Sequence, residues 1–195
     1  MKLEAFDYTV PERKIVLKIN LDNIPLYSLP NNFSFVFFDD NKEDWIQLGL
    51  KAGMFKDYDD GLKKYDFYYK PYENLLKDRV IFVKDNINNK LVGTAAAYFD
   101  VHTSINQGKF HWLFIDKDYR GKGLAKPLIS KALNRLKELG YKDALISTET
   151  KVPIACKLYF EFGAIPFNVE EKESYEILNK QLGGLLDKFD YLFKK

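Results

Sequence analysis

His111-Trp112-Leu113-Phe114-Ile115-Asp116-Lys117-Asp118-Tyr119-Arg120-Gly121-Lys122-Gly123-Leu124-Ala125 runs from an apolar strand through a glycine-rich turn into a helix. Gly121 and Gly123 carry no Cβ, so backbone N–H groups there can close around anionic oxygens. The helix that follows presents the positive end of its dipole to the same place. The segment therefore predicts a site for a pyrophosphate-like anion. From Gly123 onward Leu124, Leu128, Ala132, Leu133, Leu136 and Leu139 recur at helical spacing, and Gly140 stands where the residue after the last turn should. Pro127 is tolerated only in a first turn, which confines the helix start to the neighbourhood of Gly123.

Upstream of this segment, Arg79 to Val83 and Leu91 to Tyr98 read as two strands around the Asn- and Asp-rich turn Asp85 to Lys90. Phe110 to Asp116 is the third strand of the resulting meander, reached by a loop containing Gly108. Phe33 to Phe38 is another strand, and Asp40 with Glu43 has the spacing of a capping box opening a helix through about Ala52. Residues 57–78 are charged, aromatic and helical in character, and Pro71 splits them into two short helices. Asp57, Asp59, Asp60 and Asp66 within this stretch fit a solvated helix face better than a cation trap.

Downstream, Ala144 to Thr148 is a strand and Pro153 to Phe162 a helix closed by Gly163, with Ala164 to Asn168 as a final strand. Residues 1–31 read as an N-terminal extension holding a strand over Lys14 to Leu21, and 172–195 as a helical tail interrupted at Gly183-Gly184. The whole of 1–195 is expected to be a single domain of mixed α/β (α+β) class, with a mostly antiparallel central sheet flanked by helices.

Composition bounds the chemistry. Hydrophobic residues are 46% and charged residues 30%, as in a globular protein, while aromatics reach 16%. A net charge of +2 with dispersed basic residues argues against nucleic acid as a partner. The absence of a signal-like N-terminus or a long apolar run leads to the expectation of a cytoplasmic protein without membrane contact. Cys156 is the only cysteine, which excludes an internal disulfide and a multi-cysteine metal site, so no metal is expected.

The glycine loop fits neither common nucleotide motif. A Walker A loop needs G-x-x-x-x-G-K-[ST], and the dinucleotide fingerprint needs a third glycine where Lys126 stands. Arg120-Gly121-Lys122-Gly123-Leu124-Ala125 instead resembles the [QR]-x-x-G-x-[GA] loop of the GNAT superfamily of acetyl-coenzyme A-dependent N-acetyltransferases. Ala155, Tyr159 and Gly163, four residues apart within Pro153 to Ala164, resemble the same family's A-x-x-L-Y-x-x-x-G-[FA] segment. The resemblance covers residues 80–168 well and 33–79 more loosely.

That resemblance implies a GNAT-like fold and acetyl-CoA as cosubstrate. It maps pyrophosphate binding onto Gly121, Lys122, Gly123, Leu124, Ala125 and Lys126, with Arg120 shaping the loop. It maps pairing with the pantetheine arm onto Leu113, Phe114 and Ile115, and the small residue beside the cofactor chain onto Ala155. Tyr159 becomes the acid that protonates the departing thiolate, although a tyrosine serving only the core would look the same from sequence.

The amine acceptor must lose a proton before it attacks. His111, placed by strand parity on the face of Leu113 and Ile115 unless a bulge intervenes, and Glu149 are alternative bases. His102 reads as exposed, and Cys156 as helix packing rather than a covalent nucleophile. Val152 departs from the family, many members of which carry an Asn there that contacts coenzyme A. The acceptor, a small molecule or a peptide or protein amine, is left open, as is a homodimer; the resemblance implies that its pocket is built from residues 45–75 and 98–110. A noncatalytic acyl-CoA-binding or regulatory module is the competing class.

Overall fold

The computed structural model describes residues 3–167 and 170–193. They form two compact units, Ile24–Tyr141 and Met1–Asn23 with Lys142–Lys195. Among the described residues no helix is long and apolar enough to cross a membrane.

In the unit Ile24–Tyr141, four antiparallel strands lie in the order β2 (Phe33–Phe37), β3 (Val80–Asp85), β4 (Lys90–Asp100) and β5 (Ser104–Ile115). β3 and β4 are apolar without alternation because both of their faces are covered. Val80, Phe82, Ala96 and Tyr98 join the aromatic core with helices α1 (Lys42–Ala52) and α2 (Tyr58–Tyr68). Helix α3 (Ala125–Glu138) packs on β3, β4 and β5, and Leu128 with Ile115 fills the space over Gly93, 3.5 and 3.3 Å from where a Cβ would stand.

Close packing of α1 on α2 depends on two glycines. A Cβ on Gly49 would lie 2.1 Å from the Phe55 ring, and one on Gly61 would lie 2.8 Å from it. Phe55 thus occupies volume that any larger residue at either position would need. The expected capping box is corrected: the residue before α1 is Asn41, with no side-chain cap bond, and Asp40 adopts φ +56°. Asp57 does cap α2, accepting the Asp60 N–H at 2.8 Å. After α2, Pro71 opens a short 3-10 segment, Lys70–Asp78, so the region is split where proline disallows a continuous helix.

Gly108, expected in a loop, lies within β5 opposite Phe99. The turn is shorter and is closed by Thr103, whose backbone N–H donates to the Asp100 carbonyl and whose hydroxyl donates to the Asp100 carboxylate. The β3–β4 turn is organised by Asp85, which accepts from the N–H groups of Ile87 and Asn88 and from the Asn88 side chain.

In the unit Met1–Asn23 with Lys142–Lys195, β1 (Lys14–Asn20) lies between β6 (Asp143–Glu149) and β7 (Ile165–Phe167), antiparallel to both. The strand expected in the N-terminal extension is therefore the middle of a three-stranded sheet. Its alternation buries Ile15, Leu17 and Ile19. Helix α4 (Pro153–Glu161) starts at Pro153 and ends before Gly163, and α5 (Lys172–Gln181) packs on β1. The Tyr175 hydroxyl lies 2.5 Å from the carbonyl oxygens of both Val16 and Phe167, joining α5 to β1 and β7. The expected end of β7 at Asn168 lies outside the described residues.

The Phe55 contacts predict that Gly49→Ala lowers stability by about 1–3 kcal/mol through overpacking. The measurement is the midpoint of urea unfolding, and an unchanged midpoint would show that Phe55 can move aside at no cost.

Candidate active site

At the end of β5 the chain turns through a 3-10 segment, Lys117–Tyr119, which Asp116 caps by accepting the Asp118 N–H. Two side chains then tie the glycine loop to the rest of its unit. The Tyr119 hydroxyl donates to Asp85 at 2.8 Å, and the Arg120 guanidinium donates to the Ala52 carbonyl, at the end of α1, at 2.5 Å. The Asn88 side chain and the Tyr119 hydroxyl hold the Asp85 carboxyl down to about 2, so it is ionised and can accept both at neutral pH.

Gly121 and Gly123 each adopt φ +76°, a conformation that strains any residue with a Cβ, and no atom lies within 4 Å of where their Cβ atoms would stand. The loop is therefore left-handed at two alternate residues and open on its side-chain face. Lys122 between them sits 4.2 Å over the Tyr119 ring. Helix α3 follows at Ala125 without a side-chain cap and without an acidic residue in its first turn. Helix geometry leaves first-turn N–H groups without a carbonyl one turn back, and Pro127 contributes none. Open glycines and an uncapped helix start thus lie next to one another in sequence with Arg120, Lys122 and Lys126 among them, an arrangement with the donors and charge that an anion requires.

β5 contains a bulge just before this loop. Phe114 pairs with Thr94 and His111 with Ala96, so β5 places one more residue than β4 between the two pairs. Trp112 takes up the excess at φ +51°, an unfavourable conformation for so bulky a residue, costing on the order of 1–3 kcal/mol. The bulge overturns the expected parity. His111 shares the face of Ala96 and Phe114, while Ile115 pairs with Gly93 on the other.

His111 consequently enters an aromatic cluster, with ring centroids 4.8 Å from Tyr68, 5.0 Å from Trp112, 6.1 Å from Tyr98 and 6.3 Å from Tyr69. Trp45 stands 5.6 Å from Trp112 and 5.2 Å from Tyr69. Burial holds the His111 pKa well below its ordinary value and Lys109 pushes the same way, so its ring is neutral at physiological pH. Trp45 Nε1, Tyr69 Oη, His111 Nδ1 and Trp112 Nε1 are all buried without a hydrogen-bond partner among the described residues. Each such atom costs about 1–3 kcal/mol when left dry. Trp45 and Tyr69 fall within residues 45–75, expected by resemblance to help build the acceptor pocket, although neither side chain was singled out; Trp112 lies outside that stretch, and its only hint is the high aromatic content.

The remaining candidates, Glu149, Ala155 and Tyr159, lie in the other unit. Tyr159 is buried on α4, one turn after half-buried Ala155, and burial raises its phenol pKa so that it stays protonated. Burial, with the Glu12 charge adding, raises the Glu149 carboxyl above its ordinary value. Cys156 is buried with its sulfur 3.6 Å from both the Thr148 hydroxyl and the Glu149 carbonyl. Burial pushes its thiol up to about 12, which keeps it protonated at neutral pH and unsuited to attack. His102 is exposed and lies against the Phe67 and Tyr68 rings.

Because Glu149 is harder to ionise folded than unfolded, its ionisation opposes folding as pH rises through and above 4.5. Glu149→Gln should therefore raise the melting temperature at pH 7, with the gain vanishing below pH 4.5, where both forms are neutral. Scanning calorimetry at the two pH values checks this, and a loss of stability at pH 7 would contradict it.

Residues 42–164 match the sequence pattern described as the acetyltransferase (GNAT) family. Among curated proteins nothing matches the chain. Among solved structures it is similar to a GCN5-related N-acetyltransferase from Sphaerobacter thermophilus, at 16% identity and TM-score 0.65, covering 80% of this chain and 48% of that one. It is also similar to a GNAT-family acetyltransferase from Colwellia psychrerythraea, at 12% identity and TM-score 0.59, covering 80% and 54%. A tandem GNAT protein from the clavulanic acid biosynthesis pathway matches at 13% identity and TM-score 0.57, covering 84% and 52%. These likenesses concern the fold, and the chain spans about half the length of the structures it matches.

Proposed function

The chain belongs to the GNAT family of acetyltransferases, and from that premise we propose that it moves an acetyl group from acetyl-coenzyme A directly to a primary amine. The observation that carries this reading is the cradle of Arg120 to Lys126, whose two left-handed glycines and uncapped α3 suit a pyrophosphate. Gly121, Lys122, Gly123, Leu124, Ala125 and Lys126 hold the diphosphate in this reading, and Arg120 keeps the loop in place through Ala52. Leu113, Phe114 and Ile115 offer strand backbone to the pantetheine arm, with Ala155 as the small residue beside it. When bound, acetyl-CoA supplies an activated thioester.

The protein's own residues manage protons and charge. An alkylammonium has a pKa of about 10, so a base must take its proton before attack. His111 is neutral and its Nδ1 is unpartnered, which suits it to receive that proton, while Glu149 is the alternative. A backbone N–H of β5 stabilises the carbonyl oxygen as it becomes negative. Tyr159, kept protonated by burial, donates to the departing thiolate sulfur.

Coenzyme A should raise the melting temperature of the wild-type chain, since a ligand of the native state stabilises it. Tyr159→Phe should then lower kcat by about 10²–10⁴ with coenzyme A affinity retained, measured by thiol release with an amine panel and by calorimetry. A melting shift without thioester consumption would instead make the chain an acyl-CoA-binding module, and unchanged kcat would remove Tyr159 from the mechanism.

The acid limb of kcat/KM should fall below pH 6.5, since burial of His111 depresses the pKa that this limb reports. Loss of the limb in His111→Gln assigns the base to His111. A limb that persists in that variant and disappears in Glu149→Gln assigns it to Glu149.

A further inference from the structure

The aromatic cluster at the β5 bulge holds, beside His111, three polar atoms that the proposed reaction does not use, on Trp45, Tyr69 and Trp112. Trp45 Nε1, Tyr69 Oη, His111 Nδ1 and Trp112 Nε1 are buried, on adjacent rings, with no hydrogen-bond partner among the described residues. Burial alone does not explain this. Nearby hydroxyls are satisfied, that of Tyr65 by Glu73, of Tyr98 by the Tyr68 carbonyl and of Thr94 by the Ile81 carbonyl, each at 2.8–2.9 Å. The positive φ of Trp112 is a second, independent departure at the same place, and it turns this indole into the cluster. Backbone strain and unsatisfied polar groups that coincide mark a place kept for a ligand rather than for stability.

The chemistry of those atoms specifies the guest. An indole N–H can only donate, so two of the four atoms require an acceptor, a requirement that a carbonyl oxygen on the guest meets with its two lone pairs. Tyr68 packs on Trp112 at 5.5 Å and Tyr98 on His111 at 6.1 Å, so the surroundings are aromatic and suit an apolar side chain. A charged oxygen is poorly served, because Lys109, buried beside this face, is already held by Asp100 at 3.1 Å. Burial likewise keeps the Tyr69 and Tyr98 phenols and the His111 ring uncharged. Trp45 and Tyr69 are wholly buried, Tyr68, His111 and Trp112 half-buried, and Phe67 with His102 exposed, which orders the cluster from a closed end to an outer rim.

We propose that this cluster is the acceptor subsite, and that it selects a primary amine carrying a neutral carbonyl and an apolar side chain, an α-amino amide, with the carbonyl oxygen received by the indole N–H groups. The amine then lies beside His111. This assignment rests on the acetyl-transfer reading for the amine, and on the cluster itself for the carbonyl.

The chain has two tryptophans, and both line the cluster, so tryptophan emission, excited selectively over the 13 tyrosines, reports on it. The full chain is titrated with phenylalaninamide, with 2-phenylethylamine, which lacks the carbonyl, and with phenylalanine, whose carboxylate is charged. Phenylalaninamide should change the emission saturably at a concentration at least roughly tenfold below either of the others. Trp112→Phe and Tyr69→Phe should each reduce that preference, with the coenzyme A melting shift retained as evidence of folding. No saturable change, equal affinity for the amide and 2-phenylethylamine, or a preference that survives both substitutions would overturn the proposal. If coenzyme A gives no melting shift while the amide still binds, the acetyl-transfer reading fails and the subsite stands; the reverse pattern removes the subsite alone.

Discussion

One extra residue in β5 governs what surrounds it. The bulge between the His111–Ala96 and Phe114–Thr94 pairs forces Trp112 to a positive φ and changes which side chains face α1 and α2. Without it, a period of two would put His111 with Leu113 and Ile115. With it, His111 and Trp112 join Trp45, Tyr68 and Tyr69, while Ile115 reaches Gly93 on the face that α3 covers. A strained conformation of this kind persists only where the surrounding packing overdetermines it. Here Trp45, Phe55, Tyr68 and Phe114 all contact the Trp112 ring.

The glycine loop depends on the same unit in a different way. Its glycines make the loop open and left-handed, but they do not hold it still. Position comes from Arg120 on the Ala52 carbonyl and Tyr119 on Asp85, which tie the loop to the end of α1 and to the β3–β4 turn. Arg120, read from sequence as shaping the loop, donates to protein backbone at the end of α1. Asp85, read as a turn residue, also serves as an acceptor for the loop.

The legible parts share a property: their evidence is local. The run of leucines after Gly123 and the terminal glycines Gly140 and Gly163 predict helices from spacing and backbone preference alone. Proline at 71 and at 153 marks a break and a start for the same reason. The less legible parts depend on distant partners. Gly49 and Gly61 look like ordinary weak points in helices until Phe55 is found against both. The strand Lys14–Asn20 is readable from its alternation, but its place between β6 and β7 is set by residues more than a hundred positions away.

By itself the sequence determined the mixed α/β class, the strand, loop and helix around Gly121 and Gly123, and the family to which these motifs point, because short-range sterics and periodicity encode them. Only the tertiary structure decided the face on which His111 lies and which buried polar atoms remain unpartnered. His111-Trp112-Leu113-Phe114-Ile115 reads as a continuous strand. Its bulge exists only in register with β4, and hydrogen-bond satisfaction is a property of the packed neighbourhood rather than of any residue in it.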